Sequence, residues 1–229
     1  FLLMCGAIAL TSGFLLAAHS IGCLIDDMRD EYTIEDGRVM TAFEATDTQL
    51  EAAEDAAESV DGVTFYKNFS IDAAIKKPTG DDGTKRTLRT YTHRTEVDIA
   101  SYCEGTEPHS GDEVAVDRVF ATNNGLAVGD TVELEGRTYT ICGIMTLPDS
   151  QALFPNNSDF TVNTITFGVA EVTDAGFTAL EDAGGAPTYT YSFTFNDRNP
   201  SVAERTDAEK DMVEALTDAD ARVDDLVDA

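Results

Sequence analysis

Positive charge is scarce in this 229-residue chain: 15 Lys and Arg stand against 43 Asp and Glu, a formal net charge of −28. Phosphate contacts are made chiefly by Lys and Arg, so the deficit excludes a nucleic-acid partner. Cysteine is scarce too, and four residues in this length do not make a disulfide scaffold. Tryptophan is absent. So is every short motif that announces a reaction, with no GxGxxG, GxxxxGK[ST], HExxH or GxSxG phrase. The three histidines, His19, His93 and His109, have no second His or Cys at metal-ligand spacing. Asp81-Asp82 and Asp224-Asp225 lack the alternating ligands and following Glu of a calcium loop. These absences predict no catalytic residue, no cofactor and no metal. The hydrophobic fraction of 42% excludes intrinsic disorder, and the length allows one large domain or two small ones.

Charge is missing altogether from residues 1–25, FLLMCGAIALTSGFLLAAHSIGCLI. A helix of that length spans about 37 Å at roughly 1.5 Å per residue, enough to cross a bilayer core. The run is therefore read as a transmembrane helix. Competing readings are a buried core helix and the apolar part of a signal peptide. Ser20-Ile21-Gly22-Cys23 also approaches a lipoprotein cleavage box, with Ser20 where a Leu is wanted. The chain starts with Phe rather than Met, as a piece of a longer protein would. Beyond the run, Asp26, Asp27, Asp30 and Glu31 outnumber Arg29. Cytoplasmic flanks are enriched in Lys and Arg, so the residues after about 25 are expected to be extracytoplasmic.

The remainder alternates between two textures. Residues 35–43 predict a strand, with Val39, Thr41 and Phe43 on one face. Residues 46–59 predict a helix ended by Gly62, and residues 63–72 a strand in which only Lys67 breaks the alternation. Residues 78–150 are β-rich: Pro78–Gly83 is a turn, and strands are expected at 86–92, 96–102, 113–116, 131–134 and 137–145. A short helix at 117–124 interrupts them, and Glu135-Gly136 marks a tight hairpin. The last third returns to strand (161–171), helix (173–183), strand (189–195) and helix (203–217). Thr206 to Glu209 reads as the capping box of that final helix, with Met212, Val213 and Leu216 as its apolar face. The fold class predicted is α+β: two βαβ-type halves, at 35–77 and 151–229, flank an inserted β-rich subdomain at 78–150. The transmembrane helix at 1–25 and a stalk at 26–34 precede them.

Residues 102–145 carry a linked set of phrases: Glu104-Gly105 with Pro108, then Gly111-Asp112-Glu113-Val114-Ala115-Val116. Asn124-Gly125-Leu126-Ala127-Val128-Gly129-Asp130-Thr131-Val132 follows, and then Tyr139 through Ile144 with Gly143. Their order resembles the extracytoplasmic, MacB-like periplasmic core domain of FtsX-like ABC transporter permeases. Tyr32 to Asp36 and Gly62-Val63 extend the resemblance upstream. Thr106 departs from it, standing where the family has a basic residue.

The physical reading of these phrases is structural. Gly129-Asp130 predicts a turn that launches a strand, and Gly143 inside a strand predicts a bulge or a close approach of backbone.

The resemblance implies a porter-like role for the two α/β halves, and a non-catalytic permease at the cell membrane partnered by a cytosolic ABC ATPase subunit. A second permease copy or a homologous permease would complete it. The substrates it implies are peptide, lipoprotein, lipid-linked or antimicrobial, or none, the output being mechanical signalling. The alternative is a membrane-anchored extracellular binding protein or lipoprotein without transport activity. Cys103 and Cys142 flank strands that the family places in one small sheet, so they form either a disulfide or two free thiols.

Overall fold

The computed structural model describes residue 29 and residues 31–76, 83–149, 163–196, 200–219 and 223–228. The apolar run 1–25, residues 26–28 and 30 of the 26–34 stalk, and residues 78–82 of the turn lie outside the described residues. Among the described residues, no helix is long and apolar enough to cross a membrane.

Strand β1 (Gly37–Thr41) buries alternate residues, as its sequence predicts, but Phe43 lies beyond its end and is exposed. Helix α1 (Asp47–Ala56) begins at Thr46, whose side chain and that of Gln49 cap each other's backbone N–H groups. It stops at Ala57 rather than at Gly62. Gly62, at φ +95°, instead turns the chain into β2 (Val63–Lys67).

The expected strand 63–72 is in fact two, because β3 (Ser70–Lys76) belongs to a different sheet. The break falls at Asn68. Its backbone N–H donates to Thr190 and its side-chain amide to Ser192 Oγ at 2.9 Å. Lys67, the residue that breaks the alternation, is the last of β2 and ion-pairs with Glu44 at 3.0 Å.

Strand β10 (Pro187–Phe195) lies between β1 and β2 and runs antiparallel to both. Strand β11 (Val223–Asp228) pairs antiparallel with the other edge of β1. The order β11-β1-β10-β2 therefore interleaves two split βαβ units, β1-α1-β2 and β10-α4-β11, where α4 is Val202–Asp218. Each crossover helix covers the same face of the sheet. Leu50 and Ala53 of α1 and Ala208, Met212 and Leu216 of α4 pack there on Val39, Val63, Tyr191, Phe193 and Phe195. The aromatics of β10 are core residues, with Phe193–Phe195 and Phe65–Phe193 meeting edge to face.

Everything between β2 and β10 forms a second unit. It comprises β3, β4 (Arg86–Thr92), β5 (Ser101–Gly105), β6 (Glu113–Asp117), α2 (Arg118–Asn124), β7 (Thr131–Leu134), β8 (Arg137–Thr146), β9 (Phe167–Val172) and α3 (Asp174–Asp182). The pairings β3-β4-β9-β6-β8-β7-β3 close into a ring, with β5 added beside β7 on the edge of β8. Ile71, Leu88, Val114, Val116, Leu134 and Ile141 fill the inside, and Phe120 of α2 and Phe177 of α3 pack against them. β3, β9 and α3 thus pair or pack with the inserted strands, on either side of the 78–150 range that composition suggested. The β7–β8 hairpin turns on Glu135 and Gly136 at φ +46° and +79°, the positive pair a two-residue turn of this hand requires. Strand 96–102 begins late, at Ser101, and strand 161–171 at Phe167.

Candidate functional site

The two units meet at a set of charged side chains withdrawn from water. Residues 32–36 run into β1, and residues 93–100 run from β4 to β5. These segments are joined by backbone bonds from Asp98 N–H to the Thr33 carbonyl (3.0 Å) and from Ile99 N–H to that of Tyr32 (2.9 Å). The Glu35 N–H donates to Asp98 Oδ1 at 3.0 Å. Thr33 and Asp98 hold left-handed backbone, at φ +47° and +49°. This conformation costs a β-branched residue such as Thr33 more than most, and such strain persists only where the surroundings enforce it.

Five ionisable groups surround this contact. Arg94 is 5% exposed. It forks onto Asp149 with Nη1–Oδ2 at 3.1 Å and Nη2–Oδ1 at 3.2 Å, and its Nε reaches Glu171 Oε1 at 3.4 Å. Its guanidinium also lies 4.7 Å from the centre of the Tyr91 ring. Arg38 of β1 bonds Glu35 Oε1 through Nε at 2.6 Å and approaches Asp149 Oδ2 at 3.6 Å. Glu171, fully buried in β9, also accepts from the Tyr102 hydroxyl at 2.9 Å and lies 3.1 Å from His93 Nδ1.

The carboxyls respond differently to one burial. Asp149 is held below its ordinary value because Arg94 and Arg38 outweigh the cost of desolvation. Burial pushes Asp98 up to about 8, with Asp149 and Glu35 adding to it and Arg94 opposing. Burial raises Glu35 as well, against Arg38 and helped by Asp149. The hydrogen bond to Glu171 leads the causes that raise His93.

One oxygen from each of Glu35, Asp98 and Asp149 lies within 4.8 Å of the others. Glu35 Oε2 and Asp98 Oδ2 are buried with no hydrogen-bond partner. The three residues are dispersed in the sequence, at no metal-ligand spacing, so pattern reading had no means of joining them. Only the insertion of the ring into the α/β unit does so.

The residues singled out from sequence lie elsewhere, in turns and strands of the inserted unit. Glu104 and Gly105 end β5, and Pro108 is buried in the loop that follows. Gly111 packs beside Ala175, where a Cβ would stand 3.3 Å from the Ala175 Cβ. Glu113 Oε2 accepts from the backbone N–H groups of His109 (2.8 Å) and Ser110 (3.1 Å), which lower its pKa. Gly125, at φ +60°, ends α2. Gly129, at φ +90°, donates to the Ile141 carbonyl, and Asp130 Oδ2 accepts from Ala127 N–H at 2.9 Å. Gly143 sits in β8 opposite Gly105. Cys103 and Cys142 are free thiols on adjacent strands. Cys142 offers its carbonyl to Thr106, whereas Cys103 lies in the bulge between Tyr102 and Glu104.

No family model and no curated protein sequence matches the chain. Solved structures similar to it include the following two. The extracellular domain of the noncanonic ABC-type transporter YknZ from Gram-positive bacteria has a TM-score of 0.46 and 15% identity, covering 82% of this chain and 100% of that one. The periplasmic region of MacB from Actinobacillus actinomycetemcomitans has a TM-score of 0.45 and 12% identity, covering 84% and 88%. At this level each is a similarity, and neither assigns an activity to this chain.

Proposed function

We propose that the chain is the extracytoplasmic domain of an ABC transporter permease of the FtsX/MacB type. It would sit on a transmembrane helix at 1–25 and a stalk at 26–34. Its role would be to couple ATP hydrolysis by a separate cytosolic subunit to export or extraction of peptide, lipid-linked or antimicrobial substrates, or to mechanical signalling. The α/β unit, made of two split βαβ motifs, is the porter-like part, and a second permease copy completes the assembly. The ordered phrases of residues 102–145 support the reading, since they occupy the turns and close approaches that build the inserted ring.

The observation that carries the proposal is the route of residues 32–36. This segment leaves the stalk and is bonded at once to both units. Asp36 accepts from Phe195 N–H at 2.8 Å and from Arg205 at 3.3 Å in the α/β unit, while Thr33 and Glu35 engage Asp98 of the inserted unit. A displacement of the stalk would therefore reach both units through short, buried bonds rather than through a loose tether.

A groove where the units meet, lined by Glu44, Lys67, Phe69, Asp174, Phe177 and Tyr189, favours a second reading. A membrane-anchored binding protein would use such an aromatic and charged groove for its ligand. Purifying the full-length protein from its own membranes separates the two. A co-purifying ATPase subunit, together with further apolar runs in the full reading frame, is the outcome expected of a permease. A single apolar run and no ATPase would leave the binding protein.

A further inference from the structure

The geometry points to a binding site for one hard divalent cation, calcium by its chemistry, held by the carboxylates of Glu35, Asp98 and Asp149 at the junction of the two units. Three independent features converge on it. The first is spacing: one oxygen from each residue lies within 4.8 Å of the others. Calcium–oxygen bonds run about 2.3–2.6 Å, so oxygens on opposite sides of one ion stand about 4.6–5.2 Å apart. The three oxygens are therefore close enough to share a single ion.

The second feature is unfinished bonding. Glu35 and Asp98 are 3% and 0% exposed, yet Glu35 Oε2 and Asp98 Oδ2 have no hydrogen-bond partner. The nearest cation to Asp98 Oδ2 is Arg94 Nη1, at 3.7 Å. Buried carboxylate oxygens are costly unless something positive meets them.

Charge balance is the third. Glu35, Asp98, Asp149 and Glu171 face Arg38 and Arg94, and His93 approaches only Glu171. With all four carboxyls deprotonated, as an ion would hold them, acid exceeds guanidinium by two, the charge of a single divalent ion.

The donor set selects the metal. All the donors are carboxylate oxygens, which suit calcium or magnesium rather than zinc or copper. Magnesium keeps several of its waters, and side chains this withdrawn from solvent leave little place for them. Arg38 bonds Glu35 Oε1, leaving Oε2 to the ion, and Arg94 forks onto both oxygens of Asp149, so each guanidinium holds a ligand in place. The ion would join three separate segments: the entry to β1, the strained turn at Asp98, and the chain just after β8. It would fasten the inserted unit to the α/β unit at the place where residues 32–36 enter.

The test uses the full chain stripped with chelator, in enough sodium chloride to screen diffuse binding to a surface of net charge −28. Added calcium should raise the melting temperature by roughly 5–10 °C at a hundredfold excess over Kd. Asp98→Asn should abolish that rise, and the exposed control Asp61→Asn should keep it.

Terbium supplies a second readout, because the chain has no tryptophan and Tyr91 stacks on the Arg94 that binds Asp149. Tyrosine-sensitised terbium luminescence should saturate at one ion per chain, be displaced by calcium, and be lost in Tyr91→Phe and in Glu35→Gln. Absence of a calcium-dependent shift in the wild-type chain would overturn the site, as would an equal shift in Asp98→Asn. Terbium binding that calcium does not displace would overturn it as well, leaving the cluster neutralised by protons. If Asp98→Asn does not fold, Glu35→Gln decides by the same melting experiment.

Discussion

Gly105 and Gly143 face each other in register across β5 and β8, and neither has room for a side chain. A Cβ on Gly105 would run into the Cys142 carbonyl, and one on Gly143 into the Thr106 carbonyl. Gly105 also sits at φ +72°. Gly129, at φ +90°, needs the same backbone freedom, but a Cβ there meets open space. Gly105→Ala should therefore destabilise the chain by about 2–4 kcal/mol, from strain and overlap together. Gly129→Ala should cost about 1–2 kcal/mol, from strain alone. Urea denaturation of both variants checks the order, and equal losses would remove the close approach from the explanation.

Arg94 is the hub of the junction, and losing it leaves Asp149 and Glu171 buried with fewer partners. Arg94→Met should cost about 3–5 kcal/mol, the usual result of breaking a buried pair from one side. Lys67→Met, which removes an ion pair from Glu44 with both side chains about half exposed, should cost less than about 1 kcal/mol. Equilibrium unfolding monitored by circular dichroism measures both.

The start of α4 separates two readings of one sequence. Thr206 to Glu209 has the spacing of a capping box, yet Ser201 and Glu204 form the box in the structure, with Ser201 N–H donating to Glu204 Oε2 at 2.8 Å. Thr206 lies inside the helix, its hydroxyl bonded back to the Val202 carbonyl at 2.8 Å. Ser201→Ala should lower stability by about 1 kcal/mol, and Thr206→Ala should be close to neutral.

Burial pushes the Cys142 thiol up to about 11, while Cys103 is exposed. With the chain folded at pH 8, alkylation followed by peptide mapping should label Cys103 first and Cys142 slowly, since the thiolate is the reactive form. Neither residue labelling until a reductant is added would mean that the two are bridged.

Much of the fold is legible in the sequence where local chemistry decides it. The strands at 86–92 and 189–195, the Glu135-Gly136 turn and the helix that begins after Thr46 are all set by chemistry acting over a few residues. The failures have a common cause. The division of 63–72 into two strands depends on Asn68 meeting Thr190 and Ser192 far along the chain. β11 contains three aspartates, poor strand formers, and exists through its pairing with β1. The interleaving of β10 between β1 and β2 is likewise a long-range fact that no local pattern announces. So is the junction: Glu35, Asp98 and Asp149 look like three of the 43 acids until the ring is inserted. The residues singled out from the family-like phrases are legible for a simpler reason. Glycines at turns and close approaches leave a local mark on the sequence, and here they build the scaffold of the inserted unit.

The proposed mechanical coupling is tested most directly in the full-length protein, in membranes, with the ATPase subunit that the permease reading expects. The proposed function requires residues 24–32 to act as a rigid extension of a membrane helix, and a proline within such a helix removes a backbone bond and kinks it at a cost of roughly 3 kcal/mol or more. Met28→Pro should leave ATP hydrolysis measurable and the external domain folded while abolishing transport or signalling output, and Met28→Ala should be nearly silent. Full output from Met28→Pro would contradict the account, because the segment would then be a flexible tether and the domain a passive binding module.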